Sequence, residues 1–193
     1  MEPLNLIGAQ PFDTKRLKLR PFKLSDAQYI YKNWASSDNV AKYVTWNAHQ
    51  SIEESTAFCV ERVKTSGRID SFNWIIELTE LGEPIGDISV LKVDTEKREA
   101  HIGYVIGEKW WNKGMMTEAF EAVLAYLIFV IGFDSVVASY ITENVASGRV
   151  MQKCGMKKTG SKTIVLENKG GAEVETDVYC ITKPEWYAKN IRV

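Results

Sequence analysis

The sequence predicts an α/β fold, and three observations carry that expectation. Three β-like runs follow one another across short turns between residues 72 and 106. A long, strongly apolar helical pattern from Thr117 to about Ile131 leads directly into another β run, Ser135-Val136-Val137-Ala138-Ser139-Tyr140-Ile141. The 193 residues are 45% apolar and 11% aromatic, enough to fill a core at the size of one domain, so residues 1–193 read as a single domain.

Each element has its own local reason. The alternation in Arg16-Leu17-Lys18-Leu19-Arg20 reads as a strand ended by Pro21. Ser25 or Asp26 reads as the N-cap of a helix that carries Tyr29, Ile30 and Trp34. Ser51-Ile52-Glu53-Glu54 has the form of a capping box, opening a helix from Ser51 to Lys64 with Phe58, Val60 and Val63 on its buried face. The strands Phe72–Leu78, Pro84–Val93 and Ala100–Ile106, separated by Leu81-Gly82-Glu83 and the charged turn Asp94–Glu99, imply an antiparallel meander. The order strand, long helix, strand then makes a parallel crossover possible. A helix from Ala146 to Cys154 stops at Gly155, and two strands near 163–167 and 173–182 flank the turn Asn168-Lys169-Gly170-Gly171 before a Pro-initiated C-terminal helix.

Charge and composition exclude several functions. With 24 basic and 25 acidic residues the net charge is -1, which is no footprint for a polyanion, so direct nucleic-acid binding is not expected. Cys59, Cys154 and Cys180 are odd in number, widely spaced and without CxxC, which argues against a disulfide framework or structural zinc. His49 and His101 are too far apart to make a local ligand cluster, so no metal is expected. The N-terminal stretch lacks the cationic start and apolar run of a signal peptide, and the run Ala122–Phe133 falls short of the roughly 20 residues that span a bilayer. A cytoplasmic protein without a membrane partner is the expectation.

The segment Trp111-Asn112-Lys113-Gly114-Met115-Met116-Thr117-Glu118-Ala119 joins the third meander strand to the long helix. A lysine and a glycine at a helix entrance offer free N–H groups and positive charge to an anion, phosphate above all. The spacing is neither GxxxxGK[ST] nor GxGxxG, and a glycine that only makes the turn is the competing explanation. Asn144 and Ser147, three apart at the start of the next helix, equally suit an N-cap pair.

Taken together, Ala100-His101-Ile102-Gly103-Tyr104-Val105-Ile106, the Trp111–Ala119 segment and Thr142-Glu143-Asn144-Val145-Ala146-Ser147-Gly148-Arg149-Val150-Met151-Gln152-Lys153-Cys154-Gly155-Met156 closely resemble the GNAT N-acetyltransferases. More narrowly they resemble the RimJ/RimL-type branch, with its AEIGYW, WGKGxxTEA and NxxSxRVxxKxGF runs. Arg16–Arg20 with Pro21-Phe22-Lys23-Leu24-Ser25-Asp26-Ala27 fits that branch's opening RLxLRPxxxxDA. The resemblance spans about residues 14 to 182.

It implies a strongly twisted mixed sheet of about seven strands with flanking helices and a V-shaped splay between the central strands. It implies acetyl-CoA as co-substrate, with direct transfer of the acetyl group to a primary amine. The pyrophosphate-holding role would fall on Asn112, Lys113, Gly114, Met115, Met116 and Thr117, and the backbone of Tyr104, Val105 and Ile106 would pair with pantetheine. Asn144 would contact the cofactor arm, and the Ser147 hydroxyl would stabilise or protonate the departing thiolate. Arg149 and Lys153, i,i+4 on one helix, could reach phosphate or the adenine end, although a solvated face explains them too. Two positions depart from the general family pattern Q/R-x-x-G-x-G/A: Trp111 at its first place and Met116 at its last.

Transfer needs a neutral amine and hence a base. His101 stands where many members have Glu, and imidazole suits the task near neutrality. Glu167 approximately matches the carboxylate that nearer relatives use and is favoured on that ground, although an exposed glutamate would need burial to serve; Glu99 is a third candidate. Cys154 and Cys180 read as packing groups, because direct transfer needs no acyl-cysteine. The expected acceptor is the N-terminal amine of a protein or peptide. The alternatives are a small amine such as a polyamine or aminoglycoside, or a non-catalytic acyl-CoA-binding module. Trp34, Tyr43 and Trp46 could wall an acceptor cleft or belong to the core, and a homodimer is one possible assembly.

Overall fold

The computed structural model describes residues 3–190. Eight strands form one sheet in the order β1-β2-β3-β4-β5-β6-β8-β7. They are β1 (Phe12–Asp13), β2 (Leu17–Arg20), β3 (Asn73–Leu78), β4 (Glu83–Asp94), β5 (Glu99–Ile106), β6 (Ser135–Ile141), β7 (Lys157–Leu166) and β8 (Ala172–Thr182). The helices are α1 (Ala27–Ile30), α2 (Asp38–Ala41), α3 (Ile52–Thr65), α4 (Met115–Ala125), α5 (Val145–Lys153) and α6 (Lys183–Asn190). The α/β expectation holds, with one strand more than the seven expected: β1 is a two-residue edge pairing, Phe12↔Leu19 and Asp13↔Lys18, too short to leave an alternation.

Contacts gather into two compact units, one of residues 6–89 with 104–119, the other of residues 3–5, 90–103 and 120–190. In the first, β2, β3 and β4 pair antiparallel. Leu17 and Leu19 of β2 alternate onto one face and are fully buried, as a half-buried strand requires. Phe22, Ala27, Ile30, Trp34, Cys59 and Ile75 form a buried cluster against which Trp46, Phe58, Val63 and Val105 pack. Trp34, 2% exposed, therefore belongs to the core and does not wall a cleft.

The helix expected from Ser25 or Asp26 starts earlier, as a 3-10 turn over Leu24–Asp26 that runs into α1 and a π turn at Tyr31–Ala35. Lys23 is the N-cap because the Asp26 carboxylate turns back to accept its N–H at 2.8 Å. The box expected at Ser51 is likewise shifted: Ser51 caps α3 by position, but Glu54 accepts the N–H of Gln50, at 3.0 Å. Val60 and Val63 are only half-buried, and Ser55 and Cys59 hold the inner face of α3.

In the second unit β5 and β6 pair parallel, from Glu99↔Ser135 to Ile102↔Ala138, the crossover foreseen from the strand, helix, strand order. The β6 strand has the expected bounds, and β8 pairs antiparallel with both β6 and β7. The long helix begins two residues before Thr117, as α4, and widens into a π turn over Tyr126–Ile131 closed by Gly132 at φ 90°. Gly155 closes α5 with φ +88°, as its position after the helix suggested.

Candidate active site

In the first unit, β5 ends at Ile106 and leads through a 3-10 turn, Glu108–Trp110, to the loop before α4. The loop turns on two left-handed residues, Asn112 at φ 59° and Gly114 at φ 73°, a geometry that glycine accepts without strain and asparagine tolerates better than most. The ladder of α4 opens where Glu118 N–H donates to Gly114 O at 3.0 Å, so the amides of Met115, Met116 and Thr117 stand at the positive end of the helix. The side chains of Met115 and Met116 are buried, which accommodates a large residue where the general family pattern has Gly or Ala. A Cβ built on Gly114 would meet a single group within 4 Å, Arg16 Nη2 at 3.7 Å. An open glycine beside a guanidinium at a helix entrance fits a diphosphate on both shape and charge.

The preceding strand is shaped for close approach. A bulge leaves Ile85 between the pairs Glu77↔Pro84 and Ile76↔Gly86, and a Cβ at Gly86 would fall 2.3 Å from Val105 O. Only glycine fits there, and Val105 O is thereby turned toward β4. Trp111 Nε1 donates to Ile106 O at 2.8 Å, so the residue that departs from the family pattern ties the loop back to the strand. Tyr104, Val105 and Ile106 are half-buried, while Asn112, Lys113 and Gly114 are exposed.

In the second unit, Asn144 is the N-cap of α5, and its Oδ1 accepts the N–H of Ser147 at 3.3 Å, the capping arrangement their spacing suggested. Both residues are half-buried. Gly148 lets the first turn of α5 sit on β6: a Cβ there would lie 2.6 Å from the Tyr140 hydroxyl. Arg149 and Lys153 are exposed on α5.

His101 Nε2 lies 2.9 Å from Glu99 Oε1 on the same face of β5, and Glu99 Oε2 accepts Ser135 Oγ at 3.0 Å. With Nε2–H donated to that carboxylate, Nδ1 keeps its lone pair, the state a base requires. Glu167 opens the 3-10 turn Glu167–Lys169 and is exposed, without the burial that its role as base called for. Burial pushes the thiols of Cys59 and Cys180 up to about 11 and that of Cys154 up to about 12, which suits inert packing groups.

Two features escaped the motif reading. Thr14 and Arg16 converge on Glu118 beside the loop, and Asp87 and Ser89 are buried on β4. Arg16 and Glu118 sit in separate motifs far apart in sequence, and Asp87 and Ser89 are a pair of polar residues within an apolar strand.

A mixed sheet with an open, left-handed loop at the entrance of an apolar helix fits an acetyl-transferring class of enzyme. The model of the acetyltransferase (GNAT) domain matches residues 16–157, and the chain belongs to the GNAT acetyltransferase family, whose acetyl donor is acetyl-CoA. It is 30% identical over 173 residues to the uncharacterized N-acetyltransferase YoaA of Bacillus subtilis (strain 168), covering 89% of this chain and 96% of that protein. It is also 30% identical over 88 residues to the ribosomal protein uS5 alanine N-acetyltransferase of Escherichia coli (strain K12), covering 45% and 44% respectively. The crystal structure of a GNAT-family acetyltransferase from Bacillus anthracis superposes with a TM-score of 0.80 at 25% identity, covering 91% of this chain and 99% of the other. Among the described residues no helix is long and apolar enough to cross a membrane.

Proposed function

We propose that this chain, acting as a single domain of RimJ/RimL type, transfers the acetyl group of acetyl-CoA to the N-terminal amine of a protein or peptide. The observation that carries the reading is the loop at the entrance of α4, with its left-handed Asn112 and Gly114 and its outer face open beside Arg16. The partial likeness to the uS5 alanine N-acetyltransferase supports a protein acceptor over a polyamine or aminoglycoside.

Acetyl-CoA supplies an activated acyl group as a thioester. The amides from Asn112 to Thr117, with the Lys113 ammonium, hold its diphosphate; exposed Arg149 and Lys153 serve its outer phosphate or adenine end. The backbone of Tyr104–Ile106 pairs with pantetheine, and a nearby N–H polarises the thioester carbonyl as charge develops on oxygen. His101 takes the amine proton at Nδ1 while Glu99 holds the ring through Nε2. Asn144 fixes the first turn of α5 and contacts the cofactor arm, and Ser147 Oγ donates toward the sulfur as it gains charge.

A screen of N-terminal peptides, polyamines and aminoglycosides, read as CoA release from acetyl-CoA, tests the acceptor. Turnover of peptides is expected, and turnover of small amines alone would move the assignment to the alternative class. With the acceptor in hand, His101→Gln should abolish the acidic limb of kcat/KM and Glu167→Gln should leave it in place. The reverse pattern would transfer the base to Glu167. Ser147→Ala, measured alongside, should lower kcat more than it raises the donor KM; a pure KM effect would leave only the capping role.

A further inference from the structure

Glu118 lies in the first turn of α4 with its side chain 19% exposed, and three donors surround its carboxylate. Oε1 accepts Thr14 Oγ1 at 2.6 Å and the N–H of Arg16 at 2.8 Å, and Oε2 accepts Arg16 Nε at 2.7 Å. Burial opposes the charge, but these hydrogen bonds and the guanidinium outweigh it, and the carboxyl is held below its ordinary range. The turn that presents the donors is itself closed, since Thr14 N–H donates to Leu17 O at 2.8 Å and Leu17 N–H to Thr14 Oγ1 at 3.1 Å.

Arg16 is the working end of this arrangement. With Nε anchored on Glu118, its Nη1 donates to Lys113 O at 3.0 Å, and its Nη2 is the group nearest the open side of Gly114. Lys113 O belongs to the residue between left-handed Asn112 and Gly114. A non-glycine residue in that conformation persists only where its surroundings hold it. A fixed hydrogen bond to the carbonyl between the two left-handed residues is such a hold. A lysine in place of Arg16 would be a single ammonium point and could not make the three-way connection that the guanidinium fork makes.

We propose that Glu118 and Arg16 form a clamp that holds the Asn112–Gly114 turn in the shape that receives the diphosphate of acetyl-CoA, with Arg16 Nη2 adding a cationic contact from β2's lead-in. Glu118 is then a positioning residue acting through Arg16, and Arg16 is a cofactor-contacting residue outside the loop. The inference rests on the reading of this loop as the acetyl-CoA site. Because a preorganised loop spares the ligand the cost of ordering it, losing the clamp should appear in donor affinity.

The test is calorimetric titration of the full chain with CoA, for wild type, Glu118→Gln, Arg16→Ala and the double variant. Each single variant should bind CoA about tenfold or more weakly, and the double variant should be no weaker than the poorer single one within about twofold, because the two residues act as one unit. In turnover, the donor KM should rise in Glu118→Gln while the acceptor KM is unchanged, a split that general loss of packing would not produce. Thr14→Val removes one donor and leaves the ion pair; it should weaken CoA binding about twofold or more and serves if Glu118→Gln does not fold. Unchanged CoA affinity in folded variants, or losses that simply add, would overturn the clamp. Wild type failing to bind CoA would instead overturn the reading of the loop.

Discussion

Arg20→Met is expected to cost about 3–5 kcal/mol of stability, the range for removing one partner of a buried ion pair. At roughly 2–4 °C per kcal/mol for a chain of this size, the melting temperature should fall by roughly 10 °C. Arg20 is 7% exposed and Asp26 2%, and they meet as a bidentate pair, Nη1 to Oδ2 at 2.9 Å and Nη2 to Oδ1 at 2.8 Å. Arg20 Nε also donates to Glu77 Oε2 at 2.7 Å, and Asp26 accepts the N–H of Lys23. Methionine fills much of the volume but leaves the Asp26 carboxylate buried without its cation. Arg20 thus joins β2 both to the start of the first helical segment through Asp26 and to β3 through Glu77, and its loss unlocks all three. Replacing Asp26 by Leu in the same chain should restore part of the loss, because a missing pair costs less than a broken one. A thermal unfolding difference under about 1 kcal/mol for Arg20→Met alone would show that water reaches Asp26 and that the pair is not the lock described.

The same ion pair marks the boundary between what local pattern reveals and what it does not. Periodicity located β6 at Ser135–Ile141, because alternation and flanking turns are written in adjacent residues. It likewise found the antiparallel pairing of β3 with β4 and the cap of α5, where Asn144 and Ser147 are three apart. Asp26 has the residue type of an N-cap, but its carboxylate serves Lys23 N–H and Arg20, so the helix starts at Leu24. Local preference gave way there to a tertiary partner.

The site divides in the same manner. Gly114 before an apolar helix marks a candidate anion loop in local sequence, whereas the Arg16–Glu118 contact joins residues 102 positions apart, and no window of sequence contains it. Resemblance to the branch favours Glu167 as base, while its exposure follows from the 3-10 turn that it opens at the last hairpin. His101 is a lone histidine in its strand's sequence, but Glu99, two residues earlier on the same face, is its partner.

Asp87→Asn should change stability by an amount that depends on pH. Asp87 is 7% exposed on β4, and burial pushes its carboxyl up to about 6, with Arg62 and Ser89 acting in the opposite direction. Ser89 Oγ, 2% exposed, has no partner with hydrogen-bond geometry among the described residues, so the carboxylate receives only partial compensation. In the unfolded chain the same group titrates near 3.9. The folded state therefore holds the proton over a window in which the unfolded chain releases it. Its stabilising contribution is complete below about pH 4 and is lost as pH rises through about 6. A shift of roughly two units corresponds to about 3 kcal/mol at 1.36 kcal/mol per unit. Asparagine resembles the protonated form at every pH. The variant should thus match wild type near pH 4 and exceed it by up to about 3 kcal/mol at pH 7.5. Other groups titrate the opposite way, among them Glu118, whose depressed carboxyl favours the fold at higher pH, and His49, whose burial disfavours charge as pH falls. Both are common to the two proteins, so the difference between their denaturation curves isolates Asp87. An offset that is the same at pH 4 and pH 7.5 would mean that Asp87 keeps its charge in the fold, held by Arg62, and that β4 carries a buried ion pair in place of a buried acid.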